Sequence, residues 1–302
     1  MKSASNSLRR ARPLLGTFVE IAVSGGRPAE MNAAIDDAFA AIAEVHRLMS
    51  FHEPASDLSR LNSHAWPAAI AVHPWTYQVL ELALDLHHRS AGAFDITVAS
   101  ALQALGLLPR AADGVAPPPA AGGAIELCAD CHVCIHHPGL TLDLGGIAKG
   151  FAVDRAMDAL RCHGMPRALV NAGGDMAAFG QDKPVAVHIR DPRNPLAVLY
   201  RSAIANEAMA TSGGRIDPMR VAGSAGSAVI EPRSGQPVCA IAGATVRAPT
   251  CVVADALTKI VMIMGEGSTA LLAEYHASAM FIAADGTVQA TGNWPETVHL
   301  AA

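Results

Sequence analysis

The chain has 302 residues, of which 51% are hydrophobic and only 4% aromatic, and it carries a formal net charge of -5. A chain of this length and hydrophobicity buries a large core, which excludes an intrinsically disordered protein. The acidic balance, with a basic cluster only at Arg9, Arg10 and Arg12, excludes nucleic acid as the expected partner. Small aliphatic side chains dominate, which favours an α/β or α+β fold with helices packed closely on a sheet.

The first half of the chain contains one strand pattern and two helix patterns. Residues 15–23 carry alternating β-branched side chains and predict a strand. Residues 30–50 and 74–92 place apolar side chains at intervals of three and four, so each predicts an amphipathic helix. Residues 111–123 are rich in Ala, Pro and Gly and predict a surface connector within a single domain that spans residues 1–302.

The second half predicts most of a sheet and two further helices. Two short strands are expected within residues 124–144, around a turn at His137-Pro138-Gly139. The remaining elements are expected to be a helix at 148–162, strands at 168–171, 185–189, 203–209 and 225–230, a helix at 255–264, and a closing hairpin at 279–283 and 288–291. Together these elements predict an α+β fold with helices on a mixed, largely antiparallel sheet.

No targeting signal is visible in the sequence. Glu20 interrupts the region after the basic N-terminus before an apolar run of signal-peptide length is reached, and no apolar stretch is long enough to span a membrane. Six cysteines in a chain of this length do not form a dense disulfide framework. We therefore expect a cytoplasmic protein without a membrane span.

A run of three cysteines, Cys128, Cys131 and Cys134, is followed by His136 and His137. Its spacing resembles half of a zinc site, but no second cysteine pair lies at the usual distance. A pair of strands with small buried thiols is the alternative, and it is the one that we favour.

The most informative motif is a strand that ends in Asp143, a Gly145-Gly146 turn, and the start of a helix that carries Lys149. Backbone N–H groups at such a turn and the positive end of the helix can bind a diphosphate, and Asp143 can accept a hydrogen bond from a ribose or purine. A strand-to-helix turn that needs glycine for close packing is the alternative. A cation in the first helical turn opposes the helix dipole, so Lys149 favours an anionic partner.

A second glycine turn contains Asn171, Gly173, Gly174 and Asp175 and follows a buried strand. Taken alone, it is explained by a tight turn in which Asn and Gly adopt positive φ. Two such turns at the ends of strands, however, suggest one shared crevice for a nucleotide.

Eight segments in chain order carry a pattern that resembles the FAD:protein FMN transferase (ApbE-like) family, at residues 15–17, 49–50 with 56–62, 92–98, 143–154, 171–175, 210–213, 231–235 and 254–257. The resemblance implies the two-lobed α+β fold of that family. It also implies an Mg²⁺-dependent reaction in which FAD is split at its diphosphate, FMN moves to a Ser or Thr hydroxyl of an acceptor protein, and AMP leaves. FAD and the acceptor protein are then the expected partners.

The resemblance assigns a role to each matched position. The residues implied to bind the flavin nucleotide are His52, Ala93, Phe94, Asp95, Asp143, Lys149, Asn171, Gly173, Gly174, Asp175, Glu231 and Arg233. The residues implied to hold Mg²⁺ are Gly146, Asp255 and Thr258, and those implied to act in catalysis are Asp255 and Lys149. From residue type alone, Phe94 also fits a core position, Asp95 a turn cap and Asp255 a helix-start acid.

Three segments depart from the family's pattern. Ser227 and Glu231 stand where the family has His and Asp, and His52 stands where it has Tyr, so a basic or orienting group and a stacking ring are replaced. Lys259 stands where the family has Thr, four residues after Asp255 and on the same helix face. An ammonium at this position pairs with Asp255, and we hypothesise that Lys259 replaces or weakens Mg²⁺.

These departures leave two alternatives to FMN transfer. One is a divergent FAD-binding protein that no longer transfers FMN. The other is a hydrolase that uses water as the acceptor and cleaves FAD to FMN and AMP.

Overall fold

The computed structural model describes residues 6–63, 68–109, 122–213, 228–291, 293–294 and 299–300. The described strands are β1 (Ser7–Leu14), β2 (Thr17–Ser24), β3 (Ile70–Ala71), β4 (Ile125–Cys128), β5 (His132–Ile135), β6 (Arg167–Ala172), β7 (Asp175–Phe179), β8 (Val185–Asp191), β9 (Asn194–Ile204), β10 (Ala208–Gly213), β11 (Ile230–Glu231), β12 (Gln236–Pro237), β13 (Ile241–Ala248), β14 (Ser278–Ala283), β15 (Val288–Ala290) and β16 (His299–Leu300). The described α-helices are α1 (Pro28–Met49), α2 (Asp57–Ser63), α3 (Pro74–Arg89), α4 (Ala99–Ala104), α5 (Ala148–Cys162), α6 (Cys251–Met264) and α7 (Thr269–Glu274).

Eight strands form one sheet in the order β1-β2-β6-β7-β10-β13-β14-β15, and every pairing between described strands is antiparallel. The alternating sequence of β2 explains its position, because Val19, Ile21 and Val23 point to one buried face while their neighbours stay partly exposed. The α+β class and the largely antiparallel sheet predicted from the sequence are confirmed.

Three long helices, α1, α5 and α6, cover one face of this sheet and also pack on each other. In α1 the side chains of Ile35, Phe39 and Ile42 are buried at helical spacing, as the predicted amphipathic pattern requires. The main hydrophobic core lies between these helices and the sheet.

The opposite face of the sheet carries a hairpin of β8 and β9, to which β16 adds a third strand. A small apolar cluster attaches this hairpin: Val187 and Ile204 pack with Met209 and Ala178 of the large sheet. Because β8 pairs with β9 only, it is an edge strand within the described residues.

Helices α5 and α6 meet at their N-terminal ends, where Asp154 of α5 caps α6. The Asp154 carboxylate accepts hydrogen bonds from the backbone N–H groups of Cys251 at 2.9 Å and Val252 at 2.8 Å. Thr250 at the N-cap of α6 provides no side-chain cap, so Asp154 satisfies donors that the helix itself leaves unpaired.

The Asp154 carboxyl makes the stability of the fold depend on pH. Burial raises the pKa of Asp154 to about 6, although the N–H groups of Val252 and Cys251 lower it. The folded state therefore binds this proton more tightly than the unfolded chain does. Burying the charged carboxylate lowers the free energy of unfolding, and this loss is recovered as the pH falls from about 6 to about 4. We expect wild type to gain stability relative to Asp154→Asn over this interval, as measured by urea unfolding. A difference that stays constant with pH would contradict this account.

Most predicted elements are present, but several of their boundaries were wrong; α6, for example, begins at Cys251 and not at the predicted Asp255. Residues 15 and 16 form a turn between β1 and β2, and β1 itself was missed. The β4–β5 turn contains Asp130 and Cys131, both with positive φ, instead of the expected His137-Pro138-Gly139. Two consecutive left-handed residues suit a tight hairpin, and without glycine they leave little signal in the sequence.

The predicted strand at 203–209 spans a chain reversal. Ile204 ends β9 and Ala208 begins β10, and between them the Asn206 side chain accepts a hydrogen bond from Gly180 N–H at 2.7 Å. Apolar residues on both sides concealed this turn. Most of the predicted connector at 111–123, most of the predicted strand at 225–230, and the departure at Ser227 lie outside the described residues.

One described helical segment, Cys251–Glu274, is long and apolar enough by length and composition to cross a membrane. Half of its most apolar window is buried inside the protein, and core helices of soluble proteins pass the same test. The absence of a membrane span therefore stays a prediction.

Candidate active site

A cavity of about 390 Å³ lies between the start of α5 and the C-terminal half of α6, beside the segment that follows α3. It brings together six of the residues predicted to bind flavin nucleotide or metal, namely Ala93, Phe94, Asp95, Asp143, Gly146 and Lys149. Lys259 also lines it. The volume lies within the range of small-molecule sites.

The segment after α3 is held rigidly against the cavity. The Phe94 N–H donates to Ser90 Oγ at 2.9 Å, and Asp95 Oδ1 accepts from both the backbone N–H and the hydroxyl of Thr97 at 2.7 Å. His87 Nδ1 lies 3.3 Å from Asp95 Oδ2. Phe94 and Asp95 are buried, so these bonds fix the wall before any ligand binds.

The segment before the Gly145-Gly146 turn is not a strand, so the prediction of a strand that ends in Asp143 was wrong; Asn62 clamps this segment instead. Asn62 Nδ2 donates to Leu142 O at 2.9 Å, and Leu142 N–H donates to Asn62 Oδ1 at 2.7 Å. Asp143 Oδ1 then accepts from Gly145 N–H at 3.1 Å. Burial raises the pKa of Asp143, and this N–H together with the charges of His52 and Lys259 opposes the rise. His52 is exposed and close enough to act electrostatically on Asp143.

Four charged side chains alternate in sign at the cavity. Lys149 Nζ donates to Asp175 Oδ2, and Lys259 Nζ donates to Asp255 Oδ1. Both lysines line the cavity, whereas both carboxylates are buried. Burial lowers the pKa of Lys149, but the carboxylates of Asp175 and Asp255 outweigh it and hold the pKa above the ordinary lysine value. The cavity thus has two ammonium groups on its wall.

Asp255 itself is fully buried, and both of its carboxylate oxygens and its carbonyl oxygen accept hydrogen bonds. Besides Lys259, its carboxylate accepts from Gly150 N–H at 2.9 Å through Oδ2. Its carbonyl oxygen accepts from Thr258 Oγ1 at 2.6 Å and from Lys259 Nζ at 3.0 Å. Thr258 Oγ1 also lies 2.7 Å from Ser212 Oγ, which connects α6 to β10.

The second glycine turn lies on a different cavity. Asn171, Gly173 and Gly174 line a groove of about 710 Å³ on the hairpin side of the sheet, which we call the β8 groove because residues 185–191 form one of its walls. Residues 211–213 line both cavities. The two turns therefore border neighbouring cavities, where the sequence suggested one shared crevice.

Glu231 and Arg233, both predicted to bind the flavin nucleotide, lie beside the cavity. Their neighbours Ile230 and Pro232 line it. Glu231 instead accepts from the backbone N–H groups of Arg233 at 3.2 Å and Ser234 at 2.7 Å, and the Arg233 guanidinium donates to Ala91 O at 3.1 Å. These contacts shape the loop that faces the segment after α3.

Sequence reasoning missed the apolar and hydroxyl parts of the wall. Val98, Leu102 and Ile263 line the cavity, but their spacing is the same as that of core residues and gives no separate signal. Residues 211–213 belong to one of the family-like segments, and only the Ser212 contact with Thr258 reveals what they do.

The cysteine run does not assemble a metal site. Cys134 is buried with its Sγ 3.9 Å from His136 Nδ1, and Cys128 and Cys131 are half-buried free thiols. Within the part of the chain that the structure describes, no group of three or more His, Cys, Asp or Glu side chains is placed to hold a metal ion.

The sequence and the fold can be compared with those of known proteins. The family model described as the ApbE family matches residues 15–283. The chain belongs to the ApbE family. Two relatives described as FAD:protein FMN transferases are 29% identical (Treponema pallidum, 96% of this chain and 88% of the relative) and 30% identical (Vibrio cholerae, 76% and 73%). The family resemblance read from the sequence is confirmed.

Solved structures agree with the fold of this ApbE protein. The ApbE protein of Thermotoga maritima matches with a TM-score of 0.83 at 22% identity, covering 95% of this chain and 97% of its own. The flavin transferase ApbE from Vibrio cholerae matches with a TM-score of 0.81 at 25% identity, covering 95% and 98%. The architecture of an ApbE flavin transferase thus extends over almost the whole chain.

In this ApbE protein the positions implied to hold Mg²⁺ are already engaged by protein groups. Lys259 and Gly150 N–H occupy the two carboxylate oxygens of Asp255, and Lys259 and Thr258 share its carbonyl oxygen. Mg²⁺ needs near-octahedral oxygen ligands, and an ammonium in contact with the same carboxylate repels it. Lys259 also packs over Gly146, the remaining position implied to hold Mg²⁺, since a Cβ added at Gly146 would lie 3.6 Å from Lys259 Cε. The residues present therefore do not fit a bound Mg²⁺.

Proposed function

We propose that this protein transfers FMN from FAD to a Ser or Thr hydroxyl of an acceptor protein, with release of AMP. One observation carries the proposal: five of the twelve residues implied to bind FAD, namely Ala93, Phe94, Asp95, Asp143 and Lys149, line one cavity whose wall holds two ammonium groups, those of Lys149 and Lys259. Relatives described as FAD:protein FMN transferases support it.

The reaction exchanges the phosphoanhydride bond of FAD for a phosphate ester bond to the acceptor. The acceptor oxygen bonds to the phosphorus of the FMN half, the bond from that phosphorus to the bridging oxygen breaks, and AMP leaves with the bridging oxygen while the hydroxyl proton is released. Negative charge grows on the AMP phosphate as the bond breaks. Lys149 and Lys259 offset this charge, because fixed cations in a site shielded from water stabilise a developing anion strongly.

Lys259 supplies the positive charge that the family resemblance assigned to Mg²⁺. Its ammonium is anchored by Asp255 at the wall of the cavity. Because it belongs to the chain, it does not dissociate as a bound metal ion does. An ammonium has one charge and no Lewis-acid coordination geometry, so it binds and screens a diphosphate less strongly than a divalent ion. We infer transfer that needs no Mg²⁺.

The same observation favours one second candidate. The Lys259 ammonium has one positive charge where Mg²⁺ has two, so it can hold FAD and still leave cleavage of the diphosphate slow. A protein with this property binds FAD but does not transfer FMN. Cleavage with water as the acceptor is a variant of the proposed reaction and gives free FMN.

The test incubates the purified protein with FAD and a library of decapeptides, each with one central Ser or Thr. We expect peptides that gain the mass of FMN and an equal amount of AMP. We expect Lys149→Met to lower the rate about 100-fold, as loss of one electrostatic stabiliser does. Lys183→Met, an exposed lysine outside the cavity, is the matched control and is expected to leave the rate unchanged.

The other outcomes are informative. Free FMN with AMP and no labelled peptide would identify a hydrolase. Bound FAD without AMP would identify the non-transferring protein. Either result would contradict the transfer.

A further inference from the structure

His87, near the end of α3, contacts two consecutive residues of the candidate active site. Its Nδ1 lies 3.0 Å from the carbonyl oxygen of Phe94 and 3.3 Å from Asp95 Oδ2. Phe94 and Asp95 line the 390 Å³ cavity, and His87 lies behind them. The family resemblance assigns a role to both wall residues and none to His87.

The contact with Phe94 decides which ring nitrogen of His87 carries the hydrogen. A carbonyl oxygen can only accept, so Nδ1 donates. The same hydrogen is shared with Asp95 Oδ2, which also accepts and lies slightly farther away. One N–H group of His87 therefore fixes both the backbone at Phe94 and the side chain of Asp95.

Two glycines leave room for the His87 ring in this position. A Cβ added at Gly122 would lie 2.6 Å from Cε1, 2.7 Å from Nδ1 and 2.9 Å from Nε2 of the ring, so the backbone of Gly122 packs directly against it. A Cβ at Gly92 would lie 3.7 Å from Cε1. Any side chain at residue 122 must push the ring away from Phe94 and Asp95.

The position of the Asp95 carboxylate matters because it lines the cavity. Its Oδ1 accepts two hydrogen bonds from Thr97, both at 2.7 Å, whereas among the described residues its Oδ2 faces only His87. A carboxylate oxygen can accept two hydrogen bonds, so Oδ2 can also accept from a ligand. The sugar hydroxyls and the ring N–H groups of a flavin nucleotide are donors of this kind.

We propose that His87 is a positioning residue of the FAD site. Its Nδ1–H group holds Asp95 so that Oδ2 accepts a hydrogen bond from a hydroxyl or N–H group of FAD, and the absence of a side chain at Gly122 keeps the ring in place. The identity of the ligand rests on the proposed function. The hydrogen bond and the packing do not.

Two substitutions at His87 separate its hydrogen bond from the volume of its ring. His87→Phe keeps a flat ring without a donor, whereas His87→Asn loses volume but keeps an N–H donor near the place of Nδ1. We expect the Kd of FAD to rise about tenfold in His87→Phe and less than about threefold in His87→Asn. If His87 only filled space, the order would be reversed. His88→Phe, at the exposed neighbour outside both cavities, is the matched control and is expected to change the Kd less than about twofold.

Gly122 and Gly123 provide a test that leaves His87 itself unchanged. Gly122→Ala places its methyl group against the ring and is expected to weaken FAD binding about as much as His87→Phe does. A Cβ at Gly123 meets no atom within 4 Å, so Gly123→Ala is expected to leave the Kd unchanged. Wild-type affinity in Gly122→Ala would overturn the proposal, because the ring could then move without disturbing the wall.

The position of the hydrogen on His87 is measured directly in wild type. Long-range ¹⁵N–¹H NMR spectra distinguish the two tautomers, and the His87 signal is identified by its absence in His87→Asn. We expect the hydrogen on Nδ1, and a hydrogen on Nε2 would overturn the proposal even if His87→Phe does not fold. Wild type that binds FAD but labels no peptide would refute FMN transfer and leave the role of His87 to be decided by these Kd values. Wild type that binds no FAD would refute both.

Discussion

Replacing Lys259 by methionine is expected to weaken FAD binding about tenfold or more and to destabilise the fold by about 3–5 kcal/mol. The variant removes an ammonium from the cavity wall and leaves the fully buried Asp255 carboxylate without its ion-pair partner. An unpaired buried charge is among the most destabilising changes a single substitution makes. Flavin fluorescence titration measures the first effect, and urea unfolding measures the second.

Two companion variants make this result specific. Lys183→Met removes an exposed lysine of the same size and is expected to leave both quantities unchanged. Combining Lys259→Met with Asp255→Asn removes both charges and is expected to recover part of the lost stability but not the FAD affinity. Recovery of FAD affinity in the double variant would show that Lys259 acts only by supporting Asp255.

The role of Lys259 in place of a metal has its own measurement. FAD binding by wild type is expected to be the same in excess Mg²⁺ and in EDTA, because the ammonium already occupies the carboxylate. Lys259→Thr restores an oxygen ligand at this position and is expected to make FAD binding depend on Mg²⁺. Strong Mg²⁺ dependence of the wild-type protein would overturn the replacement.

Substituting Gly150 by alanine is expected to destabilise the protein by about 3 kcal/mol or more, because the added carbon has no space. It would lie 2.3 Å from Cys251 O and 2.7 Å from Asp255 Cβ, at the contact of α5 with α6. The first of these atoms belongs to the backbone, so the helices must move apart. The movement also breaks the Gly150 N–H bond to Asp255 and displaces Lys259 from the cavity wall.

Gly123→Ala is the matched control for Gly150→Ala. A Cβ at Gly123 meets no atom within 4 Å, and the change in its unfolding free energy is expected to stay below about 1 kcal/mol. The test measures urea unfolding and FAD affinity of both variants. Wild-type stability in Gly150→Ala would mean that α5 and α6 are packed less closely than the structure places them.

Local patterns predicted most of the elements because burial imposes the same periodicity on sequence and structure. Alternation in β2 and the three- and four-residue spacing in α1 arise directly from packing against one core. The β4–β5 turn escaped prediction because Asp130 and Cys131 take up positive φ, a conformation that residue type alone does not indicate.

The candidate site was predictable where its contacts are local and hidden where they are long-range. The Lys259 pair with Asp255 follows from their spacing along one helix. For Lys149 the sequence indicated an anionic partner, but the protein itself supplies one in Asp175, 26 residues away. The Ser212 contact with Thr258 and the place of β8 in its sheet depend on strand order, which single-sequence patterns do not encode.

The three residues that the two cavities share couple one cavity to the other. Thr211, Ser212 and Gly213 line both, so a ligand in one cavity that displaces them also reshapes the wall of the other. This coupling is reciprocal: whatever free energy a ligand in the first cavity adds to binding in the second, a ligand in the second adds in equal measure to binding in the first.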